Sequence, residues 1–243
     1  MALGPFYVAQ KLIEDHDLSG AAMLMRHGET DWNREGRVMG RNPVPLNDRG
    51  RSQVEAAARF AQTIRPDLIV TSPLVRARQS AEIMAAGLGG NITVLEEPDI
   101  AEVLYGRWEG IVYHDLIQDP YYVEYRKSPI EHPTPGGETI PQVQERGVAA
   151  VTRILRANHG KRVLFVSHGD IIRTVLCHFL RMELAHFHRL RIDNASISTV
   201  QISGRFAELK FLNLLPNPGQ AFVAPFEIKH PSAEADAKEP QQA

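Results

Sequence analysis

The segment Leu24-Met25-Arg26-His27-Gly28-Glu29-Thr30-Asp31-Trp32-Asn33 sets an arginine beside a histidine, directly after an apolar run over 21–25. An imidazole there can attack an electrophile, and the adjacent guanidinium can hold an anion. Together they point to phosphoryl transfer through a histidine. A second segment repeats the grammar: Val163-Leu164-Phe165-Val166 runs into Ser167-His168-Gly169. Both read as buried strands that end at a histidine followed by a glycine, and strand ends are where open α/β sheets carry ligands. Parallel neighbours would bring His27 and His168 to one edge. Gly28 and Gly169 would let a ligand approach the backbone. The second turn also opens a helix, whose free N–H groups favour anions. In Ser72-Pro73-Leu74-Val75-Arg76-Ala77-Arg78-Gln79, Arg76 or Arg78 can reach the same edge. The spacing turns Arg78 to the outer helix face. A carboxylate, Glu102, stands in Ala101-Glu102-Val103-Leu104-Tyr105-Gly106-Arg107-Trp108-Glu109-Gly110.

These residues need elements to carry them. The first strand is expected over 21–26, followed by a Gly-, Asn- and Pro-rich loop over 36–47. Asn47 caps a helix over 48–64, with Val54, Ala57, Ala58 and Ala61 on one face. A strand over 68–70, a helix over 75–86 closing near Gly87 and a short strand over 92–95 follow. Residues 103–140, rich in Tyr and Pro, show no clean period and read as a cover inserted over a site. Thr139 and Gln142 have capping-box spacing and open a helix reaching 158. A strand over 163–166, a helix over 171–180 and two β segments over 195–202 and 206–212, with Gly204 as the hairpin, complete the pattern. The alternation predicts an α/β fold: a three-layer sandwich with a mostly parallel central sheet and helices on both faces. One domain is expected over 21–215, preceded by an N-terminal extension over 1–20 with one short helix. A Pro-, Gln- and acid-rich tail over 216–243 is expected to be disordered.

The 243 residues are 43% hydrophobic, ordinary for a globular chain with a real core. Twenty-seven basic against twenty-nine acidic side chains give a net charge of −2, which offers nucleic acid and membranes no electrostatic hold. No apolar stretch has the length of a membrane span, and the N-terminus lacks a signal-peptide pattern. The single cysteine, Cys177, precludes an intramolecular disulfide and reads as core. A soluble cytoplasmic protein is expected. His178, His186 and His188 lack a matching carboxylate or cysteine pattern, so no metal site is expected. Trp32 and Trp108 read as packing at a pocket wall. Tyr113, Tyr121, Tyr122 and Tyr125 read equally as cover packing or substrate contact.

Four motifs in order, Arg-His-Gly-Glu-Thr with Trp32-Asn33, Ser-Pro-Leu-x-Arg-Ala-x-Gln, Glu-x-x-x-Gly-x-Trp-Glu-Gly and Ser-His-Gly, resemble the histidine phosphatase superfamily. That group includes the cofactor-dependent phosphoglycerate mutases, and the resemblance covers roughly residues 21–212. It implies that His27 is the nucleophile that becomes phosphohistidine, that Arg26, Arg76 and His168 bind the transferring phosphoryl group, and that Glu102 protonates the leaving oxygen. It further implies substrate contacts from Asn33, Gly28, Thr30, Arg37 and Gly169. A metal-independent acid or broad-specificity phosphatase without cofactor is then expected, with a small phosphorylated substrate as partner; a homodimer stays open. Fixed cations in a dry pocket would stabilise the equatorial charge of the transferring group. Two alternatives are a mutase that returns the phosphoryl group and an inactive binding or regulatory domain. The complete set of five residues counts against the inactive domain. Mutases of this family generally carry a longer, Lys-rich insertion after the carboxylate, whereas Pro135-Gly136-Gly137-Glu138-Thr139 resembles the phosphatase branch. The chain departs from the family at Met39-Gly40, Pro43 and Leu46-Asn47, so substrate contacts from that loop are not carried over.

Overall fold

Period-two alternation decides the layers. In the computed structural model, which describes residues 18–216, strand β1 (Ser19–Arg26) sends Ala22 and Leu24 to one face and Met23 and Met25 to the other. β4 (Arg162–Ser167) does the same with Val163 and Phe165 against Leu164 and Val166. β2 (Leu68–Thr71) and β3 (Val94–Glu96) extend the sheet on one side; β5 (Ile197–Ser203) and β6 (Phe206–Leu214) extend it on the other. The order is β3-β2-β4-β1-β5-β6. β1, β2, β3 and β4 pair in parallel, and β5 runs against both its neighbours.

One face is covered by helices α2 (Asp48–Ile64) and α3 (Val75–Gly87), the other by α6 (Ile140–Ala157) and α7 (Gly169–Phe179). The three-layer α/β architecture expected from the sequence is therefore present. Large side chains such as Phe165 and Phe187 are buried completely, and each contributes roughly 1.5–3 kcal/mol by leaving water. The caps follow the sequence. Asn47 Oδ1 accepts the Gly50 N–H at 2.8 Å, and Thr139 and Gln142 form the reciprocal box. Gly204 turns the β5–β6 hairpin with φ of 57°.

Several boundaries differ. β1 begins at Ser19, because Ser19 and Gly20 pair with Ser203 and Ile202 of β5. These two residues belong to the sheet and not to an N-terminal extension. β3 starts at Val94, where pairing with Ile69 begins. α7 starts at Gly169, immediately after its N-cap His168. The cover holds two short helices, α4 (Tyr113–Leu116) and α5 (Pro120–Lys127). A further short helix, α1 (Asp31–Arg34), was not expected; Thr30 and Asn33 build its capping box. The helix expected in the N-terminal extension and the C-terminal tail lie outside the described residues. No described helix is long and apolar enough to cross a membrane.

Candidate active site

Parallel pairing of β1 with β4 aligns Arg26 with Ser167, so the next residues, His27 and His168, leave the sheet together. Their rings stand 5.2 Å apart, centroid to centroid, and both are buried. His27 Nδ1 lies 2.7 Å from the Gly28 carbonyl, and Nε2 receives Arg76 Nε–H at 3.3 Å. A carbonyl only accepts and a guanidinium only donates. The proton is therefore on Nδ1, and the lone pair is on Nε2. Burial, then the charges of Arg76 and Arg26, hold His27 well below the ordinary histidine range. His168 is lowered likewise, first by burial and then by Arg76 and His27.

Arg76 is fully buried near the start of α3, and burial pulls its pKa down to about 10. Its remaining nitrogens donate to the carbonyls of Gly40 (2.7 Å) and Asn42 (3.0 Å). The loop that departs from the family pattern thus supplies backbone acceptors, which its altered side chains leave in place. Arg26 donates one nitrogen to Ile192 O at 2.8 Å, while its buried Nε has no protein partner. The buried His168 Nδ1 is also without one. These two unpartnered nitrogens, one on the residue before His27 and one on the ring that faces it, leave hydrogen-bonding capacity beside His27.

A cavity of about 330 Å³ opens over this cup and is lined by Arg26, His27, Trp32, Asn33, Arg37, Glu102, Tyr113 and Gly169, among others. Asn33 Oδ1 accepts from the Thr30 N–H (3.1 Å), the Thr30 hydroxyl (3.1 Å) and Asn194 Nδ2 (3.2 Å), which leaves the Asn33 amide nitrogen as the free donor. Arg37 joins the rim, bonded to Glu35 and to Gly110 O. Gly169 starts α7; a Cβ there would lie 3.7 Å from Arg26 Nε.

Two of the expected substrate contacts, Gly28 and Thr30, stand behind the cavity lining, as Arg76 and His168 do. Gly28 does not line the cavity. Its close approach is to α2, where an added Cβ would lie 2.4 Å from Gly50 O, and its N–H donates to Ser80. Thr30 is fully buried and acts on Asn33. Trp108 is likewise no pocket wall: it packs beneath the cover against Tyr122 (5.3 Å) and Tyr125 (5.0 Å). The tyrosine group divides, with Tyr122 and Tyr125 packing and Tyr113 lining the cavity. Arg78 is on the outer face, paired with Glu96, and Cys177 is core.

Glu102 faces the cavity with its backbone pinned. Arg41 and Arg146 donate to its carbonyl at 3.2 Å each, and Arg146 is itself paired with Glu138 at 2.8 Å. Burial, reinforced by the negative charge of Asp170, pushes the Glu102 carboxyl up to about 7. Burial alone would raise Asp170 as well, but Arg173, bonded to it at 2.5 Å, His188 and the Tyr105 hydroxyl on its other oxygen together outweigh burial and hold Asp170 below its ordinary value.

Sequence reasoning missed Asp170, Arg173, Tyr105 and Asn194, all of which line the cavity. Arg173 lies four residues beyond Gly169 and so on the same helix face, a usable signal. Asn194 arrives because β5 is antiparallel to β1, which carries the residues before β5 to the sheet edge where His27 and His168 meet. Among the described residues no three His, Cys, Asp or Glu side chains group as a metal cage.

Comparison with known proteins identifies the family. The family model described as histidine phosphatase superfamily (branch 1) matches residues 22–215. An acid phosphatase of Mycobacterium tuberculosis is 32% identical over 81% of this chain and 93% of its own. A phosphoglycerate mutase-like protein of Arabidopsis thaliana is 33% identical over 63% of this chain and 68% of its own. The structure of a mutant phosphoserine phosphatase from Entamoeba histolytica, in complex with phosphoserine, superposes with a TM-score of 0.72 at 27% identity, covering 80% of this chain and 96% of that one. The chain belongs to the histidine phosphatase superfamily, branch 1.

Proposed function

We propose that this protein is a phosphomonoester hydrolase that acts through a phosphohistidine on His27, without a metal, on a small phosphorylated metabolite. The observation that carries the reading is the His27 Nε2 lone pair, fixed by the Gly28 carbonyl, held by Arg76 Nε–H and set beside the unpartnered nitrogens of Arg26 and His168. Phosphoryl oxygens are stronger acceptors than a neutral imidazole, so Arg76 passes from Nε2 to them when substrate enters. Nε2 attacks phosphorus as the ester P–O bond breaks. Arg26, Arg76, His168 and Asn33 hold the equatorial oxygens, and the Glu102 proton goes to the leaving oxygen. Glu102, now a carboxylate, takes a proton from water as the water oxygen attacks phosphorus. The P–N bond breaks, Nε2 regains its electron pair, and phosphate leaves.

Hydrolysis is favoured over return of the phosphoryl group by the cover. Lys127 is its only lysine, and that side chain is exposed and paired with Glu124, so no lysine-rich shield excludes water. Broad specificity is part of the same reading. The rim charges Arg37 and Arg173 are already paired, with Glu35 and Asp170, and leave few unsatisfied groups to select a leaving group. A cytoplasmic location is proposed on the lone, buried Cys177. The test is phosphate release from p-nitrophenyl phosphate with EDTA present. The wild type is expected to turn over unimpaired and His27→Ala to be inactive. Equal activity of the two proteins, or loss of wild-type activity to the chelator, contradicts the reading.

A further inference from the structure

The two imidazoles of the cup are fixed by different means. A backbone carbonyl sets the proton of His27. His168 has no such carbonyl. Its Nε2 stands 2.8 Å from Ser72 Oγ, and its Nδ1 meets no protein group. Both residues are wholly buried. Ser72 Oγ has one further neighbour, the Leu74 N–H at 3.3 Å, which can only donate and so takes one oxygen lone pair. The hydroxyl proton then needs an acceptor. Among the described hydrogen bonds of Ser72 Oγ, the one group able to accept is His168 Nε2. The reverse arrangement, with Nε2–H donating to Ser72, would strand the hydroxyl proton in a dry interior. It would also turn the Nδ1 lone pair toward the incoming phosphoryl oxygens. Both consequences are unfavourable.

We propose that Ser72 is a positioning residue that fixes His168 as its Nδ1–H tautomer, so that a neutral imidazole offers the transferring phosphoryl group a donor. The relay runs from Leu74 N–H to Ser72 Oγ, from Ser72 O–H to His168 Nε2, and from His168 Nδ1–H to a phosphoryl oxygen. Leu74 is also the N-cap of α3, two residues before Arg76. One serine therefore ties the helix that presents Arg76 to the ring that completes the cup. Burial and the flanking arginines keep His168 uncharged, and in a neutral ring the choice of tautomer decides whether Nδ1 donates or repels. The identity of the anion rests on the phosphohistidine reading; the tautomer does not.

The experiment is NMR of the full chain carrying nitrogen-labelled histidine, with the His168 ring signals assigned by their loss in His168→Gln. In the wild type Nδ1 is expected to be pyrrole-like and Nε2 pyridine-like. In Ser72→Ala the Nδ1–H preference is expected to be lost, and kcat on p-nitrophenyl phosphate to fall tenfold or more, about the loss of one transition-state donor or somewhat less. Ser72→Thr, which keeps the hydroxyl, is expected to hold the tautomer and remain within about threefold of wild-type kcat. An Nε2–H ring in the wild type overturns the proposal. So does a Ser72→Ala variant that keeps both the Nδ1–H ring and full kcat. A protein with the Nδ1–H ring that never forms phosphohistidine would overturn the catalytic reading and leave the control of the tautomer by Ser72 standing.

Discussion

Replacing Glu102 by glutamine removes one proton and keeps the shape, which isolates its role. With a pKa of about 7, Glu102 is about 90% protonated at pH 6 and about 10% at pH 8. General acid catalysis contributes roughly 10²–10⁴ in rate when the leaving group is a strongly basic alkoxide, and little when it is a good leaving group such as p-nitrophenolate. Glu102→Gln should thus lower kcat/KM about 10²–10⁴-fold on an alkyl phosphate and less than about tenfold on p-nitrophenyl phosphate. The ratio of wild-type to variant kcat/KM cancels the ionisation of the substrate. On the alkyl ester that ratio should be flat below pH 6 and fall about tenfold per pH unit above 7. Stability supplies an independent reading with a definite sign. A carboxyl raised in the folded state favours folding most below 4.5, its ordinary value, and that contribution is lost as pH rises through about 7. Between pH 5 and pH 8 the variant should therefore gain on the wild type in urea denaturation, by at most about 3 kcal/mol, since the carboxyl is partly exposed to pocket solvent. Equal losses on both substrates with an unaltered pH profile would show that Glu102 is not the proton donor.

Gly50→Ala should be harmful although Gly50 does not line the cavity. The added Cβ would lie 2.0 Å from Glu29 O, forcing the His27 loop off α2; a stability loss of about 1–3 kcal/mol in urea and a lower kcat are expected, and a fully active variant of wild-type stability would contradict the packing described. With 3-phosphoglycerate and catalytic 2,3-bisphosphoglycerate, free phosphate is expected in place of isomerisation; rapid isomerisation with little phosphate release would favour the mutase alternative.

The meeting of His27 and His168 was legible because two apolar strands each end in His-Gly, and the alternation of strands with helices makes them parallel neighbours. Arg76 and Glu102 were legible from their motifs, but what holds them was not. Arg76 is gripped by backbone carbonyls of the 40–42 loop, and carbonyls leave no mark on residue type. The Arg146–Glu138 pair that pins Glu102 joins α6 to the end of the cover, a contact set by tertiary packing. β3 was misplaced because Val94 and Leu95 are exposed at a sheet edge, where strand limits follow pairing and not burial. α1 escaped notice because its capping box is closed by Asn33 in place of the usual glutamate or glutamine.

The most direct test of the central claim is the identity of the phosphoenzyme. Rapid acid-free quenching of the wild type with a radiolabelled phosphomonoester, followed by peptide mapping and phosphorus NMR, should find phosphate on His27 at Nε2. That linkage should be stable in alkali and labile in acid, and it should be absent from His27→Ala. Phosphate on His168, on Nδ1 of His27, or on no residue while turnover proceeds would contradict the account.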